Sequence, residues 1–122
     1  MQLSGQATLE RPAPAHAPRF DSAPAQDAPL KLWFDGELVD ADRLQAPLNT
    51  HALHYGSGVF EGIRAYSTKR GAAVFRLPEH LERMRKGAEL LGMRFDIAQA
   101  TEAVLSTLRA NRQGDAYIRP LA

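Results

Sequence analysis

HYGSGVFEGIRAY, residues 54–66, decides how the rest of the chain is read. Val59, Phe60, Ile63 and Tyr66 favour extended backbone, so residues 58–66 are predicted to form a strand. Side chains two apart along a strand share a face. Phe60, Gly62, Arg64 and Tyr66 then lie on one side, and Val59, Glu61, Ile63 and Ala65 on the other. The first side offers an aromatic ring, a gap, a guanidinium and a phenol. A strand glycine marks either a bulge or a place where something comes close to the backbone. Near the end of the sequence, Tyr117 and Arg119 again put an aromatic beside an arginine on one face. Together they suggest a pocket for a small anion with an apolar part. On the pattern alone, a solvated sheet face with a glycine bulge is the preferred reading.

The flanking segments set the context. LKLWFDGELVDA (30–41) reads as a hairpin turning at Asp35-Gly36, a pair suited to a type I′ turn. HALHYG is predicted to be a short helix capped by Asn49 or Thr50. Lys69-Arg70-Gly71 makes a turn, and AAVFRL (72–77) returns as a strand. The period then changes. Pro78 suits a first helical turn, Leu81, Met84, Ala88 and Leu91 recur at helical spacing, and Gly92 closes the helix. His80 is read as structural, near the start of that helix. Arg83 falls off the apolar stripe and by spacing alone faces solvent. Against a second domain it would be a fork donor suited to a phosphate. A second helix starts at an Asp96 cap with Gln99 three residues on. Ile97, Thr101, Val104 and Leu108 line one of its faces, and Gly114 ends it. AYIRPLA (116–122) begins a further strand. Strands followed by helices predict an α+β fold, an antiparallel sheet with two helices packed on it, rather than alternating βαβ units.

Composition narrows the classes. Of 122 residues, the first 28 form a Pro/Ala-rich leader that is predicted to be disordered, because it holds almost no large apolar side chains after Leu9 except Phe20. Residues 29–122 are predicted to be one domain, cut at its exit and belonging to something longer. The net charge is +1 with dispersed basic residues, which argues against a nucleic-acid or membrane-surface partner. With no cysteine, disulfides and thiolate chemistry are excluded. No apolar run reaches the length of a membrane span and no secretory h-region is present, so the cytoplasm is the default location. Gly56-Ser57-Gly58 resembles the opening of a dinucleotide fingerprint, but Glu61 stands where its third glycine belongs. His51 and His54 are spaced H-x-x-H without a third ligand, so no metal site is assigned. Glu61, on the opposite strand face from Arg64, is read as a structural hydrogen-bonding group.

HALHYGSGVFEGIRAY, VFRLPEHLERM and AYIRPL, in this order and spacing, together with WFDGELVD, resemble the small N-terminal domain of the branched-chain amino acid aminotransferases. These are class IV, fold-type IV enzymes that use pyridoxal 5′-phosphate. The resemblance covers about residues 31–122. Glu61-Gly62-Ile63-Arg64 and Tyr117-Ile118-Arg119-Pro120 favour this family over D-amino-acid aminotransferase and aminodeoxychorismate lyase. A non-catalytic, stand-alone binding domain is the remaining alternative. The resemblance implies that Arg83 binds the cofactor phosphate, and that Phe60 and Gly62 line the pocket for leucine, isoleucine and valine side chains. Tyr55 and Arg64 would shape that pocket, Tyr55 from across a dimer interface. Tyr117 would lie near the substrate α-carboxylate, and Arg119 would bind the distal carboxylate of glutamate. The implied reaction is ping-pong amino transfer between branched-chain amino acids and 2-oxoglutarate, in a homodimer or higher homo-oligomer. The Schiff-base lysine would lie on a large C-terminal domain. Lys31, Lys69 and Lys86 do not match its position, so no catalytic residue is assigned and the chain alone is expected to be inactive.

Overall fold

The computed structural model describes residues 29–122, and the predicted leader lies outside the described residues. In chain order the elements are β1 (Lys31–Phe34), β2 (Glu37–Asp40), a 3-10 turn (Ala41–Arg43), α1 (His51–Tyr55), β3 (Ile63–Thr68), β4 (Gly71–Val74), α2 (Leu77–Leu90), α3 (Ile97–Ala110) and β5 (Ala116–Ile118). The α+β class is as expected. The strands form two antiparallel sheets, however: β1–β2 alone, and β4–β3–β5.

The hairpin turns at Asp35 and Gly36, whose φ values of 48° and 102° are the two positive angles that a type I′ turn needs. It stands apart from the larger sheet, and the end of α3 meets one of its edges at Lys31. The Asn111 carboxamide behaves there like a short piece of strand. Its Oδ1 accepts from the Lys31 backbone N–H and its Nδ2 donates to the Lys31 carbonyl, both at 2.8 Å.

Burial alternates residue by residue from Phe60 to Tyr66, with Glu61, Ile63 and Ala65 turned inward. Regular pairing nevertheless begins only at Ile63, later than the 58 expected from the sequence. The cause lies on the opposite strand. Val59 and Ala122 exchange both backbone bonds, Phe60 bridges Leu121, and the Glu61 N–H donates to the Pro120 carbonyl at 3.2 Å. Pro120 has no N–H to return, so a rung is lost. The ladder resumes in the same register at Ile63 opposite Ile118.

Helices α2 and α3 cover the inner face of this sheet. Ile63, Ala65, Leu77, Leu81, Val104 and Leu108 form the core, with Ile63 and Leu81 wholly buried. The β4 strand stops at Val74, short of the expected 77. Arg76, at φ 49°, turns the chain into α2, and Pro78 sits in the first helical turn. Leu91, expected on the core stripe, is 49 % exposed because the helix ends one residue before it. Gly92, at φ 72°, closes α2 by donating to the Glu89 carbonyl, while Met93 donates to that of Ala88. Asp96 caps α3 as expected, accepting from the N–H groups of Ala98 and Gln99 at 2.8 and 3.1 Å. That helix ends at Ala110, well before Gly114, and Arg112 (φ 52°) takes the left-handed position after it. Thr50 precedes α1, but its hydroxyl donates to the Pro47 carbonyl rather than capping the helix. Among the described residues, no helix is long and apolar enough to cross a membrane.

Candidate functional site

The outer face of the β4–β3–β5 sheet carries the arginine and aromatic side chains singled out in the sequence. Directly paired residues of antiparallel strands share a face. Arg64 pairs with Tyr117. The same register puts Gly62 opposite Arg119 and Phe60 opposite Leu121. Phe75 continues it on the other edge, donating its N–H to the Arg64 carbonyl at 2.8 Å. Phe60, Tyr66, Phe75, Tyr117 and Leu121 are all exposed there. For large apolar side chains that is a patch in need of a covering surface or a ligand.

At its centre, the Arg119 guanidinium lies between two rings. Its carbon is 4.6 Å from the centroid of Phe60 and 5.2 Å from that of Tyr117. Both distances suit attraction of a cation to a ring face. Its Nη2 also donates to the Tyr117 hydroxyl at 2.5 Å. Tyr117 in turn fills the gap left by Gly62. A Cβ at that position would meet the Tyr117 Oη at 2.5 Å and two carbons of the ring at 3.2 Å. The space that the sequence left open is thus occupied from within the chain. Phe60, Gly62, Tyr117 and Arg119 form one contact group, and Arg64 stands beside them on the same face. Tyr55 is not joined to them. It is 75 % exposed on α1, with its ring against His51, centroids 4.5 Å apart.

The inner face holds a second cluster, which the sequence reading did not assemble. Glu61 points inward and is 6 % exposed. A carboxylate buried there requires partners, and α2 supplies them one turn apart. Arg83 donates from Nε and Nη2 at 2.5 and 2.6 Å, a fork-to-carboxylate bond. The His80 ring nitrogen Nδ1 lies 2.9 Å from the same carboxylate. The Arg83 hydrogen bond above all, helped by His80 and opposed by desolvation, pulls the Glu61 pKa down to about 2. Arg83 is accordingly pushed further into its charged form. Arg83 is therefore tethered, although 68 % of its side chain is exposed. The clue was available in the sequence: an acid in phase with Ile63 and Ala65, and two basic residues three apart on a helix bound to pack beneath it.

Arg83 also meets the chemical requirement for a phosphate ligand. Its Nη1 takes no part in the bonds to Glu61, and Arg83 lines a shallow depression of about 530 Å³ together with Pro78, Glu79, Glu82 and Lys86. The two acids there are already engaged, Glu79 by Arg76 and Glu82 by Arg85. A larger cleft, of about 1390 Å³, runs from the hairpin at Trp33 and Phe34 past Ala103 of α3 to Tyr117 and Arg119. Of the remaining candidates, His51 bonds Ser57 and His54 bonds the Leu48 carbonyl. Lys31 pairs with Asp40.

The sequence profile of amino-transferase class IV matches residues 58–122, the stretch that carries this arginine–aromatic face and the Glu61–Arg83 pair. The chain belongs to that family. It is 42 % identical over 92 residues to the branched-chain-amino-acid aminotransferase of Pseudomonas aeruginosa, which covers 74 % of this chain and 30 % of the relative. Two solved structures of the T.th. branched-chain amino acid aminotransferase superpose with a TM-score of 0.74 at 41 % identity. Each covers 80 % of this chain and 33 % of the other. One is complexed with N-(5′-phosphopyridoxyl)-L-glutamate and the other with 4-methylvaleric acid. The fold and family expected from the sequence are therefore established. The chain spans about 30 % of the length of the curated relative it matches.

Proposed function

We propose that residues 29–122 are the small, substrate-side domain of a pyridoxal-phosphate-dependent branched-chain amino acid aminotransferase. The reaction is transfer of an amino group between leucine, isoleucine or valine and 2-oxoglutarate. One observation carries the substrate side of this reading: a single face presents apolar rings and an arginine within 5.2 Å of one another. Such a face suits a substrate side chain that is apolar in one half-reaction and ends in a carboxylate in the other. Phe60, with Gly62, Arg64 and Tyr55, shapes the apolar pocket, Tyr55 acting from a partner subunit in a homodimer. Tyr117 lies near the α-carboxylate, and Arg119 takes the distal carboxylate. Arg83, made rigid by Glu61, binds the phosphate of the cofactor. When bound, pyridoxal phosphate supplies the electron sink for amino transfer. The chain's own residues bind and orient, and the Schiff-base lysine belongs to the part of the enzyme outside these residues. The work is done in the cytoplasm. The ligands in the two solved relatives, a phosphopyridoxyl-glutamate and a branched carboxylic acid, support both substrate types.

The test is a chimera in which residues 29–122 replace the matching segment of the Pseudomonas aeruginosa relative. Glutamate formation from 2-oxoglutarate and each branched-chain amino acid is expected. A folded chimera that retains the cofactor yet forms no glutamate from any of the three would overturn the proposal.

A further inference from the structure

Gly62 is unexplained by its backbone. It is absent from the glycines with positive φ, so its conformation is open to any residue. What excludes a side chain there is Tyr117, whose hydroxyl would stand 2.5 Å from a Cβ and whose ring carbons Cε2 and Cζ would stand 3.2 Å away. The nearest of these atoms is the end of a half-exposed side chain, so a Cβ at position 62 would be accommodated only by moving Tyr117 off this position. Tyr117 is paired with Arg64, and it leans along the sheet to cover Gly62. From there its hydroxyl reaches Arg119, the residue opposite Gly62.

We infer that Gly62 is a specificity-determining positioning residue: its missing side chain lets Tyr117 lie across β3, and Tyr117 then fixes Arg119 as the receptor for a carboxylate on the substrate side chain. This rests on the function proposed above and adds to it the element that tunes the arginine. Only one Arg119 N–H is given to Tyr117, and the others remain for a ligand. A guanidinium already stacked on Phe60 and bonded to Tyr117 has little freedom left to lose when a dicarboxylate binds. An apolar substrate side chain needs the Phe60 surface but not that fixed fork. A side chain at position 62 therefore weakens dicarboxylates selectively.

The experiment uses the chimera loaded with cofactor and reads the binding of two probes, glutarate and 4-methylvaleric acid, by calorimetry. In Gly62→Ala both probes lose contacts in the pocket they share, and glutarate is expected to weaken about tenfold more than 4-methylvaleric acid. Tyr117→Phe, which keeps the ring and removes the hydroxyl, should weaken both probes through the carboxylate they share and again weaken glutarate about tenfold more. The double variant should discriminate against glutarate no further than Tyr117→Phe alone, since both changes reach Arg119 through one bond. Equal weakening of the two probes in Gly62→Ala, no weakening of either, or a discrimination that multiplies in the double variant would each overturn the inference. Should Gly62→Ala fail to fold, Tyr117→Phe alone decides, and equal weakening of the two probes there overturns it. A parent chimera that binds neither probe defeats the proposed function, and this inference with it. A parent that binds both, with an indifferent Gly62→Ala, defeats the inference alone.

Discussion

Glu61 and Arg83 are joined by two hydrogen bonds of 2.5 and 2.6 Å that tie the inner face of the sheet to helix α2. The carboxylate is pulled from its ordinary 4.5 to about 2, chiefly by that arginine. A folded-state pKa below the unfolded one contributes stability above the unfolded value. That contribution is lost as pH falls through the folded value, because the unfolded chain takes up the proton first. Urea midpoints measured from above pH 4.5 down towards 2 should fall, and Glu61→Gln should flatten that part of the decline. At neutral pH, Glu61→Gln should cost about 1–3 kcal/mol, less than a fully buried pair because Arg83 can rehydrate.

Arg83→Lys tests the same bond from the helix. Lysine keeps the charge but not the planar fork, so it cannot hold both carboxylate oxygens and also offer an ordered edge outwards. In the chimera, pyridoxal phosphate should be retained about tenfold less well, as read by dialysis against free cofactor. Unchanged retention would remove Arg83 from the phosphate site.

Asn111 fastens the hairpin. Its side chain exchanges two bonds with the Lys31 backbone, and its Nδ2 also donates to the Thr107 carbonyl at 2.8 Å. Asn111→Ala removes all three and leaves main-chain groups poorly satisfied, at a cost of about 1–3 kcal/mol. Amide exchange at Lys31 should quicken more than exchange at Ile63. Equal acceleration at both would mean that the hairpin is held by other contacts.

Arg112 sits at φ 52° immediately after the α3 cap, where its N–H meets the Arg109 carbonyl and Gln113 reaches that of Leu108. This is the helix-closing position that glycine favours. Arg112→Gly should therefore stabilise the fold by about 0.5–1 kcal/mol, visible as a rise in the melting temperature.

Much of this arrangement is written in local pattern. The two-residue period of Phe60 to Tyr66 separates the faces correctly, and the Asp96 cap and the Leu81–Met84–Ala88 stripe define the helices. What could not be read depends on residues far apart in sequence. The delayed start of β3 follows from Pro120, just beyond β5, and the hairpin edge is met by Asn111, 80 positions from Lys31. The gap at Gly62 was legible, but its occupant was not, because nothing local places Tyr117 over it. Phe60, Gly62, Arg64, Tyr117 and Arg119 were recognisable as sharing faces. That the two faces are one depends on the register between β3 and β5.

The alternation along β3 ties two chemistries to a single parity. Odd positions from Glu61 to Ala65 serve the interior, and even positions from Phe60 to Tyr66 serve the outer surface. One residue inserted or deleted within this run would invert both sets beyond the change. It would turn an acid out towards the rings or drive Arg64 under the helices. This strand can therefore change length in related proteins only by pairs of residues, or by a bulge that absorbs the odd one. Pro120, where a rung is already missing, marks the point at which such a bulge would disturb the pairing least.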